Sequence, residues 1–249
     1  MEYLAKLGHF FESYIGITER EKEDYLSKLN SFFEILHFKM ETWKEIKIET
    51  DKKLSTDFSV FHFINTDELM LSRILALCLN PSGSHGQEKK FLIEFFNLLK
   101  LEINIHEKQE NIRVVREYPT DKGRFIDIVI EIGDSCIIGI ENKPYINELE
   151  NQVGDYVAFL ESKVTGKYFD KFYFIFLHKT GDRPISIDTK KRIRLEAEGK
   201  LFTLSYIRDM KNVIYKFYQI CESDRFRYFL QDYINFISDT FKGVESGQI

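Results

Sequence analysis

The sequence predicts an α/β fold in which helices cover both faces of a mixed sheet. Apolar residues recur at helical spacing near both ends, whereas the middle contains short, continuous apolar runs rich in β-branched residues. Short turns join the first three of these runs, and a helical stretch separates them from the fourth. We therefore expect helices, then an α-β-β-β-α-β core, then further helices.

Three helices are predicted before the first strand. Thr18 and Glu21 have the spacing of a capping box, and the apolar face that follows is Tyr25, Leu29, Phe32, Phe33 and Leu36. The second helix covers about 68–79 and ends before Pro81, because proline disfavours a helical conformation in the preceding residue. The third helix follows the turn 82–86, and its apolar face is Phe91, Leu92, Phe95, Phe96 and Leu99.

The middle of the chain predicts three strands in an antiparallel meander. Residues 111–118, 124–132 and 136–142 are rich in β-branched and apolar side chains. The turns between them, 119–123 and 133–135, are too short for a crossover connection.

A helix, a fourth strand and two further helices follow. Asn147 and Glu150 predict the start of the helix, and its apolar stripe is Leu149, Val153, Tyr156, Val157 and Leu160. The apolar run 172–178 is the fourth strand, and the long helix separates it from the third. We therefore expect this strand to lie parallel to a neighbouring strand. Aromatic residues at helical spacing predict the last two helices, at about 205–222 and 224–241.

The composition is that of a globular protein. Of the 249 residues, 43% are hydrophobic and 30% are charged, which excludes a disordered chain. The net charge of −5 means that a polyanionic partner must meet a local basic patch. We expect one domain over 1–249, with an N-terminal helical extension (1–66), a core (80–178) and C-terminal helices (205–241).

The sequence also predicts a soluble, cytoplasmic protein. No stretch approaches the ~18 uncharged residues that a membrane helix requires, and the start of the chain lacks the pattern of a signal peptide. The three cysteines, at positions 78, 136 and 221, are an odd number without a C-x-x-C pair. This pattern is typical of reduced, buried thiols.

Glu141 and Lys143 are the strongest candidates for chemistry. Residues two apart in a strand point to the same face, so this carboxylate and this ammonium lie side by side. They follow an apolar run in a sheet that we expect to be buried, where charged groups are destabilising unless they are paired or bind a ligand. Asp127 lies in the neighbouring strand, at a spacing of about 4.8 Å. If the register places both carboxylates on one face, they can share a hard cation such as Mg²⁺. The alternative is a structural pair of Glu141 and Lys143.

These residues resemble the PD-(D/E)XK nuclease superfamily, which has a restriction-endonuclease-like α-β-β-β-α-β core. Asp127 matches its first acid, Glu141-Asn142-Lys143 matches its (D/E)-x-K, and Gln152 and Tyr156 match a Gln-x-x-x-Tyr of some branches. The local runs GRFIDIVIE, IIGIENKP and ENQVGDY look most like an uncharacterised bacterial branch. The resemblance covers about 80–178, and Ile126 stands where the family has its name-giving proline.

The resemblance implies a metal-dependent nuclease that hydrolyses phosphodiester bonds in nucleic acid, with DNA as the expected substrate. Asp127 and Glu141 would hold Mg²⁺ or Mn²⁺, and Lys143 would position or polarise the attacking water. One alternative is a catalytically silent module of the same fold that binds nucleic acid or a protein. Another is a homodimer in which the site is completed.

Further residues have both a functional and a structural interpretation. Glu88 and Glu117 are candidate metal ligands. The structural alternative for Glu88 is an acid that favours the dipole of a helix at its start, and for Glu117 it is an ordinary acid on an edge strand. His85 is a candidate ligand or only a polar turn residue. The candidate substrate-binding residues are Arg124, Gln152, Tyr156 and, in a predicted basic loop, Lys190, Lys191 and Arg192. The alternatives are packing for Tyr156, an ion pair with Glu117 for Arg124, and a solvated surface position for the basic residues.

Overall fold

A computed structural model describes residues 5, 19–55, 58–101, 103, 105, 111–145 and 148–242. Two compact units are present, Met1–Phe58 and Ser59–Ile249. Thr18 and Asn147, the predicted helix caps, lie outside the described residues.

The described part of the first unit is dominated by one continuous helix, α1 (Glu19–Leu54), of 36 residues. The apolar face that predicted this helix is exposed along its length, as in Tyr25, Phe32 and Phe33.

The second unit contains the remaining elements, which we number in chain order. A short 3-10 turn, Val60–His62, precedes α2. The helices are α2 (Glu68–Leu79), α3 (Lys90–Leu99), α4 (Gln152–Thr165), α5 (Thr189–Ala197), α6 (Lys211–Ile220) and α7 (Asp224–Thr240). The strands are β1 (Ile112–Pro119), β2 (Phe125–Ile132), β3 (Cys136–Lys143), β4 (Lys171–His178) and β5 (Leu201–Ser205).

The strands form one mixed sheet in the order β1-β2-β3-β4-β5. The pairs β1–β2 and β2–β3 are antiparallel, whereas β3–β4 and β4–β5 are parallel. The predicted meander and the predicted parallel fourth strand are therefore confirmed. The sequence did not predict β5, because a run of five residues between two helical stretches carries little periodicity.

Helices cover both faces of the sheet, which confirms the predicted α/β fold. On one face, residues of α2, α3, α6 and α7 form one apolar core together with sheet residues such as Ile128, Ile138 and Ile175. On the other face, α4 and α5 pack against side chains such as Val129, Ile137 and Phe174. All eight residues of β3 are buried, as expected for a central strand.

Two predicted helix starts and one predicted loop differ from the structure. The helix expected from Asn147 begins at Gln152, because Asn151 has a left-handed backbone with φ of 55°. The helix expected from 205 begins at Lys211, after a π-helical turn over Tyr206–Met210. The expected basic loop is helix α5, and the carboxylate of Asp188 caps it by accepting the N–H of Lys191.

Gly139 allows α4 to approach the sheet closely. A Cβ at this position would lie 2.9 Å from Cδ1 of Leu160 on α4 and 3.2 Å from Cδ2 of Phe174 on β4. A larger residue would therefore force the Leu160 side chain to move. Among the described helices, none is long and apolar enough to span a membrane.

Candidate metal centre

Three carboxylates from three different elements converge at one point of the second unit. Glu68 is the first residue of α2, Asp127 lies near the start of β2, and Glu141 lies near the end of β3. One carboxylate oxygen of each residue lies within 4.8 Å of those of the other two. The structure thus brings the two predicted acids together and adds Glu68, which was not among the predicted site residues.

Asp127 turns toward β3 where the pairing of β2 with β3 ends. The last residue pair is Ile128 with Ile140. Beyond it, Oδ2 of Asp127 accepts the backbone N–H of Asn142 at 2.7 Å. The carboxylate therefore continues the contact between the strands in place of a backbone carbonyl, and this bond fixes it beside Glu141.

Lys143 bridges two of the three acids. Its Nζ donates to Oε1 of Glu68 at 2.7 Å and lies 2.9 Å from Oε1 of Glu141. The Lys143 side chain is only 8% exposed, so these carboxylates replace the water that the ammonium loses on folding. The predicted juxtaposition of Glu141 and Lys143 is present.

Two buried carboxylate oxygens have no hydrogen-bond partner among the described residues. These atoms are Oε2 of Glu141 and Oε2 of Glu68. Glu141 as a whole is only 1% exposed to solvent. A buried acceptor without a donor is destabilising by about 1–3 kcal/mol, and more when it is charged. Both oxygens are therefore available to a cation.

Gln152 and Tyr156 on α4 support Glu141. Nε2 of Gln152 donates to Oε1 of Glu141 at 2.6 Å and to the hydroxyl of Tyr156 at 3.1 Å. The Tyr156 hydroxyl donates in turn to the carbonyl of Phe125 at 2.7 Å, and Oε1 of Gln152 accepts the N–H of Leu149 at 2.9 Å. This chain of bonds fixes the orientation of the Glu141 carboxylate from the side of α4.

Burial and mutual repulsion shift the ionisation of the carboxylates. Burial raises the pKa of Asp127 to about 6, although the Asn142 amide and the Lys143 ammonium oppose this rise. Burial and the Asp127 carboxylate raise the pKa of Glu141 well above its ordinary range. Burial acts to lower the pKa of Lys143, but its carboxylate partners outweigh that effect and raise it.

The donor set fits a hard divalent cation. When all three acids are ionised, three negative charges face the single positive charge of Lys143. Mg²⁺ and related ions prefer oxygen ligands and are often held by one or two carboxylates plus water and substrate oxygens. The two unpartnered carboxylate oxygens are acceptors of this kind.

The structure does not bring Glu88 or Glu117 into this group of acids. Glu88 is exposed and precedes α3 instead of starting it, with a left-handed φ of 52°. Glu117 is exposed on the edge strand β1, and its φ is 49°. These backbone conformations had no signal in the sequence.

His85 has both ring nitrogens engaged within its own turn. Nδ1 accepts the N–H of Gln87 at 2.9 Å, so Nε2 carries the proton and donates to the carbonyl of Asn80, also at 2.9 Å. Burial lowers the pKa of His85. Neither nitrogen has a lone pair free for an ion, which supports the structural interpretation.

The predicted basic residues are mostly paired within the protein. Arg124 contacts Asp155 at 3.3 Å instead of Glu117. Lys191 pairs with Glu161 at 2.7 Å, and Arg192 donates to the carbonyl of Pro184 at 2.9 Å. Within the described part of the chain, Lys190 is exposed and makes no ion pair.

A weak signal for Glu68 was present in the sequence. An acid in the first turn of a helix is ordinary, because it favours the helix dipole. However, Glu68 and Ser72 are four residues apart in helix α2, which is apolar at every other position except Arg73, and they share one face. A polar pair on a helix that packs against a sheet indicates a polar neighbour on the sheet.

One comparison with known proteins agrees with this fold. The model of the PD-(D/E)XK nuclease superfamily matches residues 58–237. The match covers well over half of the chain, and this protein therefore belongs to the PD-(D/E)XK nuclease superfamily. A search of curated proteins and a search of solved structures found no match.

Proposed function

We propose that this protein is a nuclease that requires a divalent metal ion and hydrolyses phosphodiester bonds in DNA. The observation that carries the proposal is the convergence of Glu68, Asp127 and Glu141, with two buried carboxylate oxygens that lack a hydrogen-bond partner in the described part of the chain. Membership of a superfamily of nucleases supports the same reaction class.

In this proposal, the three carboxylates hold Mg²⁺ or Mn²⁺ and Lys143 acts on the reacting groups. The bound cation supplies a Lewis acid for a phosphate oxygen and makes a water molecule easier to deprotonate. The Lys143 ammonium donates hydrogen bonds, so it can orient the attacking water or stabilise negative charge that grows on the phosphate. We infer direct attack by water, with Asp127, Glu141 and Lys143 as the catalytic residues.

Substrate contacts remain predictions, and the bonds in the structure favour some of them over others. Gln152 and Tyr156 are already bonded to Glu141 and to the backbone, which favours a supporting role. Lys191 and Arg192 must leave internal partners to reach a phosphate. Lys190 is the member of the basic group that is best placed to contact a phosphate, because it need not break an internal ion pair among the described residues.

A second candidate function is a catalytically silent module of the same fold. The observation that favours it is the bridge from Lys143 to Glu68 and Glu141, which partly neutralises the acids without an ion. A silent module predicts that divalent ions do not change the stability of the protein. The nuclease predicts that they stabilise the folded state.

Replacing Glu141 by glutamine separates these two functions. Glutamine has the shape of the protonated carboxyl that the raised pKa of Glu141 favours, so the metal-free variant should melt at or above the temperature of the wild type. Wild type should gain several degrees of melting temperature with Mg²⁺ or Mn²⁺, and the variant should lose this gain. Glu131→Gln is the matched control, because Glu131 lies on β2 and bonds Tyr118 outside the acidic group.

Cleavage is tested directly with plasmid, linear and single-stranded DNA and with RNA, each in the presence of Mg²⁺, Mn²⁺ or EDTA. We expect cleavage of DNA with either metal and none with EDTA. Cleavage of RNA alone would change the proposed substrate. A protein that cuts none of the four and melts independently of metal would favour the silent module. A cytoplasmic location and a homodimer stay predictions.

A further inference from the structure

Asn142 lies between Glu141 and Lys143 in the chain, but it belongs to the opposite face of β3. It is fully buried. Its Nδ2 donates to the hydroxyl of Ser72 at 2.9 Å and toward the carbonyl of Glu68 at 3.4 Å, and its Oδ1 accepts the hydroxyl of Tyr206 at 2.7 Å. One side chain therefore joins β3 to the first turn of α2 and to the π-helical turn after β5.

These bonds fix the part of α2 that carries Glu68. The carboxylate of Glu68 reaches Lys143, which is 75 positions away in the chain, only because the start of α2 lies against the end of β3. Apart from this ion pair, α2 also packs on the sheet through apolar, non-directional contacts of residues such as Leu71 and Leu75. The bonds of Asn142 add direction and register to this packing.

The amide is well suited to this position. It supplies a donor toward Ser72 and the Glu68 carbonyl, and an acceptor for Tyr206. A leucine has a similar volume and no polar atoms, so it would leave the hydroxyls of Ser72 and Tyr206 without these bonds. The backbone N–H of Asn142, which holds Asp127, is retained in any such variant.

We propose that the side chain of Asn142 is a positioning residue for the metal centre, acting through Glu68. It holds the start of α2 so that the third carboxylate meets Asp127 and Glu141. The inference rests on the proposed function, because it assigns a role toward the divalent ion. The alternative is a buried amide that contributes to stability without setting the position of Glu68.

The test measures Mn²⁺ affinity by titration calorimetry and by melting temperature, on the full chain and without substrate. Outer-shell partners of metal ligands commonly change metal affinity by 10–100-fold. Asn142→Leu should therefore weaken Mn²⁺ binding by about tenfold or more. Tyr206→Phe and Ser72→Ala each remove one bond of Asn142, and they should weaken binding in the same direction by less. These milder variants carry the test if Asn142→Leu does not fold.

A double-mutant cycle with Glu68→Gln identifies the route. If Asn142 acts through Glu68, the double variant should bind Mn²⁺ no more weakly than Glu68→Gln alone. Ile138→Val is the matched control, since it removes a buried methyl group from the same face of β3. It should lower the melting temperature and leave Mn²⁺ affinity unchanged.

Two outcomes overturn the positioning role while the proposed function stands. One is wild-type Mn²⁺ affinity in the Asn142 and Tyr206 variants together with a lower metal-free melting temperature. The other is a fully additive loss in the double variant. A wild type that binds no Mn²⁺ in either measurement overturns the proposed metal centre itself, and the positioning role with it.

Discussion

At the scale of single residues, the site combines one buried ammonium with three carboxylates that have few other partners. Lys143 is bonded to Glu68 and Glu141, and each of these acids also has a buried oxygen for which the described residues provide no donor. Burial and repulsion therefore oppose full ionisation of the acids in the absence of a cation. This imbalance explains why the pKa values of Asp127 and Glu141 are raised while that of Lys143 is not lowered.

Lys143→Ala should reduce cleavage by about 10²-fold or more, as the loss of one stabilising donor commonly does. It should also lower the metal-free melting temperature, because it leaves the buried carboxylate of Glu141 and the half-buried carboxylate of Glu68 without their cation. Initial rates on plasmid DNA and melting curves without metal test both effects. Lys200→Ala is the control, since its exposed pair with Glu198 lies outside the acidic group. A variant as active as wild type would rule out the assigned role of Lys143.

The metal-free protein should lose stability as pH rises through about 6. The folded pKa of Asp127 is about 6, whereas an unfolded aspartate titrates near ~3.9. A folded pKa above the unfolded one gives a contribution to stability that is fully present below ~4 and is lost as pH rises through the folded value. Denaturant unfolding at a series of pH values measures this slope.

Asp127→Asn provides the comparison for the pH series, because asparagine does not titrate. Its stability should change less with pH over the same range. Added Mg²⁺ should stabilise wild type increasingly as pH rises, since the ion needs ionised carboxylates. The assignment fails if Asp127→Asn and wild type have the same slope.

At the scale of elements, helix α5 changes how the basic residues are interpreted. Helix geometry and the cap at Asp188 place Lys191 and Arg192 where they meet internal partners on α4 and on the preceding loop. In a flexible loop, all three basic side chains would be equally available to a phosphate backbone. The helix leaves Lys190 as the exposed member without an ion pair among the described residues.

Lys190→Ala should therefore weaken DNA binding at low salt and reduce the salt dependence by about 0.9 in the slope of log K against log salt, the effect of one phosphate contact. Lys191→Ala should leave the slope nearly unchanged, because its ammonium is held by Glu161. Binding to a labelled duplex at several salt concentrations, with EDTA to prevent cleavage, provides the measurement. Equal slopes for wild type and Lys190→Ala would place this face of α5 away from the substrate.

At the scale of the whole molecule, the second unit contains the components of the proposed nuclease. Both apolar cores are built from residues between 60 and 241. The family match covers 58–237, and the three acids lie within it. The first unit presents an exposed apolar helix face instead of a buried core in its described part.

A protein that begins at Ser59 should therefore fold and keep the metal response. We expect its melting temperature to stay within a few degrees of that of the full chain, and its gain with Mn²⁺ to be equal. Thermal melts of both proteins, with and without metal, make the comparison. Failure of the shorter protein to fold would show that the first unit is required for the stability of the second.

The sequence determined the first four strands, the antiparallel meander of the first three and the motif residues, because these depend on local periodicity. The β-branched, apolar run 124–132, the short turn 133–135 and the residues Glu141 and Lys143 are contained in about twenty consecutive positions. Strand pitch alone places Glu141 and Lys143 on one face. The family resemblance rests on the same short stretch together with Gln152 and Tyr156.

Only the tertiary structure decided which distant residues complete the site. Glu68 meets Lys143 across 75 positions of sequence because the packing of α2 on the sheet brings its first turn to the end of β3. No local pattern encodes that approach, and an acid at a helix start has an ordinary local explanation. The same limit applies to Asn142, whose partners on α2 and after β5 are adjacent only in the folded protein.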